Sequence, residues 1–339
     1  MALRLDDVET AGAIYQRLLP ESDDPALRSR VLEGLGLVAF RSGEPQKAAD
    51  LLEQAVAESG GGVAERPALA SALARSLALT GRLNESIAVL EACTEHYEDD
   101  GVQYVRFAGL LGAALTDNGD FREAELVLAR AIRRGRELRD PYTQARLHWS
   151  QARLRSERGQ DGLAAESARQ ALAILQTTED TYAVGQAHQA LAHIYLNQGK
   201  NLEALELLRE GEPLMADAAT PVELAQYRIE QARACAGLGE SEAAGALAMT
   251  VLGTLQDLHA VDCGRICLLL GDVYEQIGDP ARTWEVLELA VETLTNQPPS
   301  RFLVTACRRL AEILRSQGET DEAFELMERA IAVQQHLNA

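Results

Sequence analysis

The sequence predicts an all-α fold of stacked antiparallel helix pairs, on three observations. Eight glycines, Gly43, Gly81, Gly119, Gly159, Gly199, Gly239, Gly278 and Gly318, divide the 339 residues at steps of 38 to 40. A fixed period of that size marks a stacked array in which each unit touches only its neighbours. Small residues recur at fixed distances from each of these glycines. Alanine and leucine dominate a composition that is 47% hydrophobic but only 4% aromatic. Helices are therefore favoured, and short aliphatic side chains must fill the core.

Each glycine is read as the turn between a helix A before it and a helix B after it, because a helix end often needs left-handed backbone. The chain opens on half a unit, residues 1–22: Ala11, Tyr15 and Leu18 have the spacing of a helix B, and no helix A precedes them. The first full unit turns at Gly43, with Pro45 just inside helix B. Gly36 lies seven before that glycine, Ala48 five after and Ala55 twelve after. The second unit places Ala74, Ser86 and Cys93 around Gly81 in the same way. The third places Gly112, Ala124 and Ala131 around Gly119, and its Asp120 with Glu123 reads as an Asp variant of the capping box. The fourth has Ala152, Ala164 and Ala171, the fifth Ala192, Ala204 and Gly211, the sixth Ala232, Ala244 and Val251. The seventh has Gly271, Thr283 and Ala290, with Asp279-Pro280 opening its helix B, and the eighth has Ala311, Ala323 and Ala330. Small residues at these places let paired helices approach closely. Leu35, Leu73, Leu111, Leu191, Leu270 and Leu310, eight before the glycines, fill the space between them. So do Leu52, Leu90, Leu128, Leu208, Leu287 and Met327, nine after. Gly60-Gly61-Gly62 and Asn296-Gln297-Pro298-Pro299 interrupt connectors and are the expected hinges. Residues 1–339 are expected to form a single array.

This spacing resembles the tetratricopeptide repeat, most closely at Leu270-Gly271-x2-Tyr274 leading into the turn at Gly278. The tryptophan place of that pattern instead holds Leu32, Ala70, Ala108, His148, His188, Arg228, Cys267 and Cys307. The period is about 40 against the usual 34, the additional residues falling between helix B and the next helix A. HEAT and armadillo repeats share the longer period, but the small-residue code favours the tetratricopeptide pattern. The resemblance implies a right-handed superhelix, an α-solenoid, with a concave groove lined by the A helices. Its groove-facing places lie 13, 10, 9 and 6 residues before each glycine. On that basis the candidate ligand-groove residues are Arg75, Arg146, Trp149, Arg153, Gln186, Gln189, His193, Gln226, Glu230 and Arg233. Arginine forks suit carboxylates, glutamine amides suit peptide backbone, and Trp149 suits an apolar anchor.

In style the whole chain also resembles the C-terminal arrays of bacterial helix-turn-helix regulators of the XRE type, peptide-pheromone receptors of Gram-positive bacteria among them. That resemblance implies a peptide- or protein-binding sensor region of a transcriptional regulator, with the DNA-reading domain outside this chain. A stand-alone scaffold for complex assembly is the other reading. Chaperone-tail clamps are disfavoured, since their lysine and asparagine are here arginine and glutamine. The half unit leaves an apolar stripe unpaired. Either a second copy of the chain covers it, as a homodimer, or the chain was cut from a longer protein, which is the favoured expectation.

The net charge of -20 argues against direct binding of nucleic acid. The local exception, Arg130, Arg133, Arg134, Arg136 and Arg139, spreads over several helix faces and reads as a solvated helix end. No apolar run is long enough to span a membrane, and acidic residues interrupt the start before a signal-peptide core forms. Five cysteines without framework spacing point to a reducing, cytoplasmic setting. Phosphate-loop, nucleophile-elbow and zinc-helix motifs are missing, so neither catalysis nor a cofactor is expected. His259, Cys263 and Cys267 share one helix face, but Cys267 occupies a packing place, so they are read as core rather than as metal ligands. His148 and His188 likewise hold core-edge places.

Overall fold

A computed structural model describes residues 8–42, 44–138, 140–215, 218–258, 260–297 and 299–337. Among them all regular structure is helical. Helix α1 (Val8–Leu18) precedes eight A/B pairs. These are α2 (Pro25–Arg41) with α3 (Pro45–Ser59), α4 (Pro67–Leu79) with α5 (Leu83–His96), α6 (Gly101–Asn118) with α7 (Phe121–Gly135) and α8 (Pro141–Glu157) with α9 (Asp161–Leu175). There follow α10 (Thr181–Asn197) with α11 (Asn201–Met215), α12 (Pro221–Gly237) with α13 (Ser241–Leu252), α14 (Ala260–Ile277) with α15 (Pro280–Thr295) and α16 (Arg301–Gln317) with α17 (Thr320–Leu337).

The turns explain the glycine period. Gly81, Gly119, Gly159, Gly199, Gly239, Gly278 and Gly318 all have positive φ, between 66° and 92°; Gly43 lies outside the described residues. At Gly119 the glycine N–H donates to Thr116 O (3.2 Å) and the next N–H, of Asp120, reaches back to Leu115 O (2.9 Å). This is the Schellman closure of helix A, and it recurs at the other six. The residue after the glycine has a second task. Its carbonyl accepts the first bond of helix B, as Asp120 O does from Ala124 N (3.0 Å). One residue thus ends A and begins B, which fixes the angle between the two helices. A Cβ built at Gly119 would meet nothing within 4 Å, so the cost of a side chain there is backbone alone. Gly119→Ala is expected to lose about 1–2 kcal/mol, seen as a lower urea midpoint with unchanged slope. An unmoved midpoint would mean that the left-handed turn is not required.

The same geometry corrects the capping box expected at Asp120. Its backbone (φ -79°, ψ 55°) is not extended, and its side chain caps no helix N–H. The carboxylate instead accepts from Asn118 Nδ2 at 2.6 Å. The capping box is found at a connector, where Thr220 and Glu223 bond reciprocally at the start of α12. Pro45 and Pro280 do stand at first-turn positions, and Asp279 caps Arg282 N at 3.0 Å. Of the two expected hinges, Gly60 is the left-handed C-cap of α3 (φ 65°) and a single 3-10 turn, Val63–Glu65, follows it. In the other, Pro298 lies outside the described residues.

Chain contacts divide the molecule into two compact units, Met1–Ile174 and Leu175–Ala339. In the first, the core is built on Leu32, Leu52, Phe107 and Leu128. In the second it is built on Leu208, Tyr227, Tyr274 and Leu287. The small-residue code is buried throughout; Ala48, Ala124, Ala164, Ala204 and Ala244 are fully enclosed. Met327, at one of the filling places nine after the glycine, is less enclosed. On the last helix, α17, it is 38% exposed beside Phe324 (62%) and Ile331 (49%), because no further helix A stacks there among the described residues. At the other end α1 docks like a helix B, with the Tyr15 ring against Gly34 of α2, and leaves Ile14 and Leu18 exposed.

Candidate ligand face on the A helices

Within the first unit α2, α4, α6 and α8 contact one another in succession, and within the second α10, α12, α14 and α16 do so. Among the described residues consecutive B helices make no comparable contact. The A helices therefore lie on the closer-packed side of each unit, where the candidate residues were expected.

In the first unit Arg75, on α4, holds its guanidinium 4.7 Å above the Phe40 ring. Arg146, on α8, is exposed. Burial, and then the charge of Arg146, hold the Arg75 guanidinium below its usual pKa. Trp149 lies three residues after Arg146, partly buried, and its Nε1 has no acceptor among the described residues. Arg153 is committed elsewhere: it donates to Ala113 O on α6 at 2.8 Å and pairs with Asp117 at 2.7 Å.

In the second unit Gln186 donates to the Tyr182 hydroxyl (3.0 Å) and to Glu223 Oε1 (3.4 Å), and Tyr182 donates to the same carboxylate. Burial, then the bond to Glu223, pushes the Tyr182 phenol up to about 12. Glu223 is desolvated, yet bonds from Tyr182 and Thr220 hold it below the usual carboxylate range. His193 Nδ1 stands 3.0 Å from Glu230 Oε1, and Glu230 Oε2 is buried without a partner among the described residues. The Gln226 amide oxygen, oriented by its neighbours, accepts from both terminal nitrogens of Arg265 at 2.9 and 3.0 Å. Gln189 and Arg233 make no hydrogen bond or ion pair among the described residues.

Within each unit the A face is thus laced together between neighbouring helix pairs. Two of its ties, His193 with Glu230 and Asp272 with Arg309 (2.7 Å), join partners 37 residues apart. Sequence reasoning treated His193, Gln226 and Glu230 as separate ligand groups and missed Tyr182, Glu223 and Asp117. A search for opposite charges at one period less three residues finds both 37-residue ties. Elsewhere, His188 is buried, with Nδ1 3.2 Å from Leu207 O. Burial first, then Arg136 and Arg155, hold His148 below its usual pKa, as suits a packed neutral ring. Arg130 pairs with Glu98, and Arg134 donates to Glu98 O above the Tyr104 ring; Arg139 lies outside the described residues. So does His259, and no group of three metal-ligating side chains forms among the described ones. Cys263 and Cys267 are buried neighbours on α14. No described helix is long and apolar enough to cross a membrane.

Family models of the tetratricopeptide repeat match residues 39–108 and 303–338. Among curated proteins none matches. The solved apo form of the quorum sensor NprR from B. thuringiensis is 15% identical, with a TM-score of 0.63 over 97% of this chain and 96% of its own. A Rap protein complexed with Competence and Sporulation Factor is 16% identical, with a TM-score of 0.62 over 98% of this chain and 80% of its own. BtubC from P. vanneervenii is 22% identical, with a TM-score of 0.54 over 63% of this chain and 91% of its own. At these identities the likeness is one of fold.

Proposed function

We propose that this chain, a tetratricopeptide-repeat solenoid, is a protein-interaction module that holds a peptide or an extended protein segment on its A-helix faces. One contrast carries this. Arg153, Gln186, His193, Gln226 and Glu230 are tied to neighbouring helix pairs, yet Arg75, Arg146, Gln189 and Arg233 have no hydrogen-bonding partner among the described residues. Polar groups held on rigid helices and left unsatisfied by their neighbours are available to a ligand's backbone and side chains. The fold neighbours lend support, one being a quorum sensor and another a protein bound to a factor. On that footing the chain is the sensor or partner-binding region of a bacterial, cytoplasmic transcriptional regulator. Its DNA-reading domain lies outside these residues, and it works without cofactor or catalysis. The exposed Ile14 and Leu18 of α1 offer the surface for a homodimer.

Panning a random peptide library against the full chain is expected to enrich related sequences that bind one per chain and displace one another. Arg153→Glu combined with Arg233→Glu is expected to weaken them by about tenfold or more, with Arg153 acting partly through its tie to Asp117. No enrichment above a helical-bundle control overturns the proposal. The regulatory part is tested separately: an in-frame helix-turn-helix segment encoded upstream of Met1 supports it, and a gene that starts at Met1 without one favours a scaffold.

A further inference from the structure

We propose that the groove between α15 and α17 is a second docking site, separate from the A-helix faces, and that its occupant is a basic amphipathic helix of a partner protein. The fold opens such grooves. Within the second unit consecutive A helices pack against one another, while consecutive B helices make no comparable contact among the described residues. Each A helix is thereby left as the floor between two B helices. Between α15 and α17 an open space of about 570 Å³ remains, within the roughly 300–1,000 Å³ that ligand pockets occupy. Its floor is formed by Leu310 and Leu314 of α16. Six residues after the turn glycine, other helix pairs bury smaller side chains, Ala49, Ile87, Ala165 and Leu205 among them. The seventh pair holds Trp284 at that place. Its indole is only partly buried and forms the α15 wall of the groove, and Leu326 lines the α17 side.

Charge decides the occupant. Glu288 of α15 and Glu322 and Glu325 of α17 line the groove against one cation, Arg329. None of the three carboxylates has an ion pair or a hydrogen bond among the described residues. Like charges on the two walls repel, so the chain gains nothing by closing the groove on itself, and a ligand that brings cations relieves the repulsion. The same carboxylates reject phosphate groups and acidic segments. Lysine and arginine suit them: the alkyl stem lies along leucine and indole while the charged head stays at the wet rim. Tryptophan is also the best aromatic partner for a cation. The walls are helices whose backbone groups are already bonded, so an extended segment would find no main-chain partners there. A helix satisfies its own backbone, and with apolar residues at i, i+3 and i+7 and cations beside them it meets floor and rim together.

The probe is a displayed library of single helices, panned against the full chain carrying Trp149→Phe, which leaves Trp284 as its one tryptophan. The expected result is enrichment of helices with Lys or Arg flanking an apolar i, i+3, i+7 stripe. As synthetic peptides these should shift the Trp284 emission saturably. Glu322→Lys combined with Glu325→Lys should weaken them roughly tenfold or more. Glu292→Lys combined with Glu328→Lys changes the net charge equally, at exposed places on the same two helices but outside the groove, and should leave affinity within about twofold. Arg153→Glu with Arg233→Glu should not weaken binding, which separates this site from the A-helix faces. Unchanged helical content and melting temperature show that the variants fold. Helices that bind the groove variant equally well, or that leave the Trp284 emission unmoved, overturn the proposal, as do enriched helices that are acidic or uncharged. A dimer that forms without peptide and is broken by the groove variant would make a second copy the occupant and overturn it too. So would the enrichment of no helix at all.

Discussion

Gly211→Ala is expected to lower the stability of the chain by about 1–3 kcal/mol, and to do so largely through one atom. Gly211 lies on α11, twelve residues after the turn at Gly199. A Cβ there would run into the hydroxyl of Tyr227 on the next helix A and would stand 2.7 Å from the Cβ of His188. Tyr227 has no room to yield, being fully buried. Its hydroxyl has no partner among the described residues, and burial, with Glu230 and Glu212 nearby, raises its pKa so that it stays neutral. An unsatisfied buried hydroxyl itself costs about 1–3 kcal/mol. Tyr227→Phe alone is therefore expected to be neutral or stabilising. In the double variant the phenyl ring withdraws the atom that the new methyl strikes, and most of the loss should be recovered. His188 still presses from the other side, so recovery should be incomplete. Urea denaturation of the four proteins gives the coupling. Additivity within about 0.5 kcal/mol would mean that α11 shifts away from Tyr227 as a body.

The fold was legible because its signals are local. A left-handed glycine, a small residue seven places before it and two after it are properties of one helix pair, and eight copies of them reinforce one another. The candidate ligand face was legible only as a set of places. Whether Arg153 or Arg75 is free depends on what the neighbouring helix pair presents some 40 residues away, and so on the rotation between successive pairs. Asp117 captures Arg153; no acid pairs with Arg75 among the described residues, Glu33 of the neighbouring α2 being taken by Arg66. Two local expectations also failed for physical reasons. Asp120 cannot cap its helix because the Schellman turn has already set its backbone angles. Met327 sits at a core place of the code, but the helix that would bury such a side chain is not among those described.

Leu128→Ala should be the other large effect, about 2–5 kcal/mol. Leu128 is fully buried on α7, in one cluster with Phe107, Leu111 and Leu147. It differs from an ordinary core leucine in its fit to Gly112 on α6. A Cβ built at Gly112 would stand 2.5 Å from Leu128 Cγ and Cδ2, so the leucine occupies the space the glycine leaves. When that side chain is truncated, the helix pair cannot simply close over the gap, because the shared turn residue Asp120 fixes the angle between α6 and α7. Gly112→Ala alone overpacks the same point, at about 1–3 kcal/mol. In the combined variant the added methyl enters the space Leu128 vacated, so the double loss should be clearly smaller than the sum. The first full unit repeats the arrangement, with Leu52 Cγ 2.6 Å from a Cβ built at Gly36. Gly36→Ala with Leu52→Ala is therefore an independent copy of the same cycle. Positive coupling at both pairs is expected from denaturation of each set. Simple additivity at both would show that the pairs relax by sliding, and that the turn does not hold their spacing.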